Sequence, residues 1–194
     1  MTTQLIKQLK EILIDDDTAF IKINNSQWKN HYIEYDGEIE YEENELGICT
    51  SFSDDGEFDT IKEETIKYYL DNEDKFYNLL ISSLKTFFLN KVGDNQYQYK
   101  AYKCDNNFNT YETYEEAIPK IITDDWIQKN IKLININILN EYNNYSTLEF
   151  DFAVGWDDEH GLRALVWQDK VIQFAEGGYC WCDTEAYLNE SFKY

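Results

Sequence analysis

From Leu148 to Trp156 the chain alternates without a fault. Leu148, Phe150, Phe152, Val154 and Trp156 fall on one side, and Glu149, Asp151 and Ala153 on the other. Side chains of a strand point to opposite faces in turn, so this period of two predicts one buried face. Leu162–Trp167 and Val171–Phe174 follow in the same style and predict a meander. If 157–161 is a five-residue loop, Trp156 faces Leu162, Val154 faces Ala164 and Phe152 faces Val166, apolar against apolar throughout. A one-residue slip would invert that match. A two-residue turn at Asp169-Lys170 sets Trp167 opposite Ile172 and Leu165 opposite Phe174. The reverse face is then partly apolar, and a helix over residues 73–90 is expected to cover it. Upstream, Ile134, Ile136 and Ile138 alternate with Asn135 and Asn137 in the same manner.

Other segments read as helices. Leu5, Ile6, Leu9, Ile12 and Leu13 recur at helical spacing, which predicts a helix from about Thr3 to Ile14, capped by Thr3 and ended by Asp15-Asp16-Asp17. Thr60 with Glu63 has the form of a capping box and starts a helix carrying Ile66, Tyr69 and Leu70. A break near Asp71-Asn72 leads to a second helix from about Glu73 to Asn90, with Phe76, Leu79, Leu80, Leu84, Phe87 and Phe88 as its apolar stripe. Short strands are expected at Ala19–Ile23 and Leu46–Phe52, and at His31–Tyr35 and Glu38–Tyr41 around the hairpin signal Asp36-Gly37. A short helix around Tyr114–Ile121 and a terminal one over Asp183–Glu190 complete the reading, while 92–112 has no assignment.

These parts predict an α+β fold in one domain over residues 1–194. An N-terminal helix (1–17) precedes a strand region (18–58), a helix pair (60–91) packed on one sheet face, and a mostly antiparallel C-terminal meander (130–175). Hydrophobic residues at 43% and aromatics at 16% suffice for a packed core and argue against disorder. The start lacks the apolar core of an export signal, and no apolar run is long enough to span a bilayer. Cys49, Cys104, Cys180 and Cys182 then read as reduced thiols of a cytoplasmic protein.

Charge excludes more than any motif does. The net charge is −21, and Arg163 is the only arginine. Nucleic acids and anionic membranes attract Lys- and Arg-rich surfaces, so neither is an expected partner. Residues 34–64 hold 13 acidic side chains against Lys62 alone. Glu38, Glu40 and Glu42 form a row of like charge that is either solvated or turned towards a basic protein.

Among candidate chemical sites the densest is Trp156-Asp157-Asp158-Glu159-His160-Gly161-Leu162. Asp157, Glu159 and His160 have the groups for metal binding or general acid–base work. The structural alternative is a hairpin loop in which Asp157 and Asp158 begin the turn, Gly161 takes a positive φ, and Arg163, diagonal to Asp157, pins the loop. The only other histidine, His31, has no ligand-like neighbours in sequence. Cys180-Trp181-Cys182 lacks a second pair for zinc. No EF-hand, phosphate-cradling glycine loop, G-x-S-x-G or H-E-x-x-H is present. No catalytic residue, metal ligand or cofactor is assigned.

The stretch from Phe150 to Leu162 resembles a W-D-x-E-H-G-L signature of an uncharacterised family of bacterial domains of unknown function, over roughly residues 30–175. That resemblance implies no activity. Size and charge are similar to those of immunity proteins that neutralise bacterial toxins. The expected function is accordingly protein binding, with a basic protein as partner and Glu38, Glu40, Glu42, Trp156, Asp157, Glu159, His160 and Arg163 as candidate binding residues. The rivals are a metal-dependent enzyme at Asp157, Glu159 and His160, and a scaffold without a single partner.

Overall fold

In a computed structural model of the chain, the described residues are 2–13, 18–22, 24–31, 34–35, 38–39, 45–50, 58–94, 123–155 and 157–176. For residues 26, 34–35, 38–39, 89–94, 140, 157–160 and 176 only the backbone is described. Helices are α1 (Thr2–Ile12), α2 (Ser26–Lys29), α3 (Thr60–Asp71), α4 (Glu73–Asp94) and α5 (Asp124–Asn130). Strands are β1 (Thr18–Lys22), β2 (Glu34–Tyr35), β3 (Glu38–Ile39), β4 (Glu45–Cys49), β5 (Ile131–Tyr142), β6 (Tyr145–Val154), β7 (Asp157–Trp167) and β8 (Lys170–Glu176). The main sheet has six strands in the order β1-β4-β5-β6-β7-β8, and β2 with β3 forms a separate hairpin. Every pairing is antiparallel except β4 with β5, between which α3, α4 and α5 come in chain order. The fold is α+β, as the alternation predicts. No helix among the described residues is long and apolar enough to cross a membrane.

Leu148, Phe150, Phe152 and Val154 of β6 are all buried, as are Ile136 and Ile138 of β5 and Leu162, Ala164 and Val166 of β7. Ile134 sits beside a register shift in β5, and Ile131 and Leu133 occupy the core in its place. The helix pair closes this face. Tyr69 of α3 and Phe76 of α4 lie 5.4 and 6.1 Å from the Phe150 ring, measured between centroids. The expected cover of the reverse face by the 73–90 helix is therefore not what is found: α4 lies on the Phe150 side.

Two registers differ from those expected. Phe152 faces Leu162 and Phe150 faces Ala164, four residues along β7 from the predicted match. The five-residue loop does not exist, because Val154 pairs with Asp157 and only Gly155 and Trp156 lie between them. The surplus residues form an irregularity within β7 opposite Ala153, and Gly161 bends it with φ at 67°. At the next hairpin Trp167 pairs with Lys170, so the turn is Gln168-Asp169 rather than Asp169-Lys170, with Gln168 at φ 52°. Leu165 therefore faces Gln173, and a shift between Leu165 and Val166 absorbs the extra residue. Asp169 is held in the turn by the Tyr68 hydroxyl at 2.6 Å and by Lys75 at 2.6 Å.

Caps also shift by a residue. Thr3 lies inside α1, not at its cap. Asp59, not Thr60, caps α3, its carboxylate accepting from the Lys62 N–H at 2.8 Å. A carboxylate there also meets the positive end of the helix dipole. Glu63 instead takes the Lys10 ammonium at 2.9 Å and ties α3 to α1. The break at Asp71-Asn72 is present, with Asn72 capping α3. Helices α2 and α5 have no counterpart in the sequence reading, although Asn25 and Thr123 cap them through side-chain acceptors. The segments at Tyr114–Ile121 and Asp183–Glu190 lie outside the described residues.

Gly161 is where the sheet bends, and a Cβ added there would stand 2.5 Å from the Phe152 carbonyl oxygen. With a positive φ as well, Gly161→Ala should cost about 1–3 kcal/mol. A lowered urea midpoint with an unchanged m-value is the expected result.

Candidate functional site

The reverse face of the sheet carries two cross-strand rows. One runs Phe20, Gly47, Asn135, Asp151, Arg163, Ala175; the other runs Thr18, Cys49, Asn137, Glu149, Leu165, Gln173. Where they meet β6 and β7, the only arginine lies between two carboxylates. The Arg163 Nη1 is 3.5 Å from Glu149 and its Nε is 3.6 Å from Asp151. The Glu149 side chain is 6% exposed and accepts from Asn137 Nδ2 at 2.8 Å. Burial pushes the Asp151 carboxyl above the usual range against the pull of Arg163, and Glu149 adds to the upward shift. The cluster ties β5, β6 and β7 across their polar face. Its guanidinium is ion-paired with the chain's own acids, while Arg163 Nε makes no hydrogen bond.

This arrangement relocates Arg163. Sequence reasoning set it diagonal to Asp157, whereas Asp151 is its cross-strand partner and Glu149 its diagonal one. The visible signal was Glu149 and Asp151 alternating with the apolar residues of β6; the four-residue register error hid their partner. Of the other candidate residues, Glu38 lies in β3, and Asp157, Glu159 and His160 lie in β7, with only their backbones described. Glu40, Glu42 and Trp156 lie outside the described residues, as do Cys104, Cys180 and Cys182. The tip of the β6–β7 hairpin is held by the Gly155 N–H, which donates to the Asn130 carbonyl at the end of α5 at 2.8 Å. Among the described residues no group of three His, Cys, Asp or Glu side chains is placed to hold a metal ion.

His31 is a core residue. It is 2% exposed, packed 5.0 Å from the Trp28 ring and 5.7 Å from Tyr77. Its Nδ1 lies 2.9 Å from the Ile131 carbonyl, which can only accept, so Nδ1 carries the proton. Nε2 is left as an acceptor for the Tyr77 hydroxyl at 3.4 Å. Burial pushes its pKa down, against that backbone bond.

A second feature escaped the sequence reading. Where α3 turns into α4, a cleft of about 470 Å³ is lined by Asn24, Asn25, Leu70, Asp71, Asn72, Glu73, Asp74 and Lys75. Asn25 donates to Asp74 at 2.8 Å, and Lys75 turns to Asp169 on the β7–β8 turn. Burial raises the Glu73 carboxyl, against a hydrogen bond from the Asn25 backbone and with a further push from Asp74. The cleft can take a cationic side chain. In the sequence these acids passed as an ordinary helix break.

Together these features define an α+β domain built on a mostly antiparallel sheet, with an ion cluster on its polar face and an acidic cleft beside its helix pair. The chain belongs to the DUF6985 family, a domain of unknown function whose model matches residues 19–177. No curated protein and no solved structure matches it.

Removing the guanidinium leaves Glu149 buried and uncompensated, so Arg163→Met should lower stability by about 3 kcal/mol. Adding Glu149→Gln should recover part of that loss, and a double-mutant cycle in urea measures the coupling. For His31 the sign follows from its depressed pKa. Above the unfolded value near 6.5 both states are neutral and nothing is lost. As pH falls below it, the unfolded chain binds the proton first and stability drops until the folded pKa is reached. The raised carboxyls of Asp151 and Glu73 act in the opposite sense. The difference between wild type and His31→Gln isolates the histidine. The variant should lose less stability from pH 7 to pH 5 in parallel urea titrations.

Proposed function

We propose that this chain is an acidic protein-binding domain that takes a basic protein as its partner, in the manner of a cytoplasmic immunity protein occluding a basic bacterial toxin. The observation that carries this reading is the excess of acid over base, 38 residues against 17, with several of the bases already paired within the chain. Lys7, Lys10, Lys75, Lys85 and Lys129 each pair with a carboxylate, and Arg163 is shared between two. With the net charge at −21, this local pairing leaves a large surplus of acid to the surface. Such a field attracts a basic surface from a distance and speeds encounter, while exposed pairs contribute little to the final affinity.

The acidic run from Glu34 to Glu64 and the cleft carboxylates Asp71, Glu73 and Asp74 supply the steering charge. Binding energy comes from apolar contact at the centre of the interface. Nucleic acid and anionic lipid face the same repulsion that a basic partner escapes.

Mixing the full chain with a basic toxin domain encoded beside it should give a complex whose association rate falls about tenfold or more as salt rises from about 50 to 500 mM. A complex with a rate indifferent to salt, or no complex, would sink this reading.

A further inference from the structure

The geometry points to β1 as the place where the partner docks, with an extended basic segment of that partner adding to its edge as a further strand. The reading of a basic partner supplies the chemistry of the occupant; β1 alone supplies the place. β1 is the first strand of the six and pairs on one side only among the described residues, with β4. Its outer side thus presents a short row of backbone donors and acceptors, the template that strand addition uses.

The side chains of β1 mark the same edge. Ala19 and Ile21 are buried in the core, whereas Phe20 is 67% exposed and is the most exposed large hydrophobic among the described residues. Its exposure has a local cause. Phe20 faces Gly47 across the strand pair, so no cross-strand side chain covers the ring, and the Asn135 side chain occupies the space over Gly47. Edge strands are ordinarily protected by charge, proline or a bulge. Here the only charged residue is Lys22 at the end, paired in register with Glu45. An aromatic ring beside a free backbone edge is what an incoming strand needs, hydrogen bonds for the backbone and one apolar contact for its side chain.

Charge selects the occupant. A second copy would bring another −21 against this one, and an acidic segment meets the same repulsion. In the sequence Asp15-Asp16-Asp17 run directly into β1, and Glu42-Glu43 precede β4. A strand with apolar residues opposite Ala19, Phe20 and Ile21 and Lys or Arg at both ends is complementary to the edge and to this charge.

The test uses the full chain with two synthetic peptides: Lys-Lys-Thr-Val-Phe-Val-Thr-Lys-Lys, and the same peptide with Glu at every Lys. The basic peptide should bind, shift the backbone amide resonances of residues 18–22 and slow their hydrogen exchange. The acidic peptide should not bind. Phe20→Asp should weaken binding of the basic peptide about tenfold or more, with Phe20→Thr weakening it less, and circular dichroism should be unchanged in both. Binding with unaltered β1 amides and equal affinity for Phe20→Asp overturns the docking site and leaves the basic-partner reading standing. Equal binding of both peptides at β1 overturns the basic occupant and that reading with it. Absence of binding by the basic peptide, or concentration-dependent self-association that protects the β1 amides, overturns the proposal in favour of another surface or a second copy.

Discussion

The fold depends on burial of the Phe150 ring beneath the junction of the helix pair. Tyr69 and Phe76 are themselves 5.3 Å apart between centroids, so three aromatic side chains from two helices and a central strand close on one another. All three are fully buried or nearly so. Tyr69 meets both phenylalanines edge-to-face and Phe76 stacks on Phe150, so the contacts combine a large apolar area with favourable ring geometry. They also fix the side of the sheet on which the helices lie. Thr65 adds direction to the packing: its hydroxyl accepts from the Ser146 N–H at 3.0 Å, which aligns α3 with the start of β6. Once the helices are committed to that face, the opposite one must manage its own polarity.

That opposite face is an electrostatic compromise. Two carboxylates and one guanidinium at 3.5 and 3.6 Å are partly removed from water, and Asp151 responds by holding its proton more tightly. Desolvation here competes with attraction, and buried ion clusters of this type add little net stability. They do penalise wrong registers, because any slip of β7 against β6 would move Arg163 away from Asp151. The apolar face cannot supply that discrimination by itself.

This limit explains which parts of the structure were legible in the sequence. The alternation from Leu148 to Val154 identified the strand, its buried face and the fold class, because side-chain period is a local property of the backbone. It could not set the register of β7. A slip of four residues is even, so Phe152 meets Leu162 as comfortably as Val166, and only an odd slip inverts the faces. The Asp157–Gly161 cluster looked like a loop because its residue types suit turns. In the structure 157–160 belong to β7, and Gly161 supplies the bend within the strand instead of closing a turn. The helix break at Asp71-Asn72 was legible, but the cleft beside it was not. The cleft requires Asn24 and Asn25 to arrive from a loop nearly fifty residues earlier in the chain. Arg163 as a residue of interest was legible; its partners depended on the register and so were not.

The surplus charge and the edge of β1, unpaired on its outer side among the described residues, bear on each other. A free strand edge with an exposed aromatic invites pairing between copies, and most chains avoid it by placing charge on the edge itself. In this chain the protection acts at long range. Two copies carrying −21 each repel before their edges meet, more strongly at low salt. Global charge of one sign therefore removes the need for a local guard, and Phe20 can remain exposed without enforcing self-association. The same field that keeps like chains apart lowers the barrier for a chain of opposite sign, so a basic partner of the kind proposed would be told from a second copy before any contact forms. High salt would remove that discrimination and leave the edge open to either.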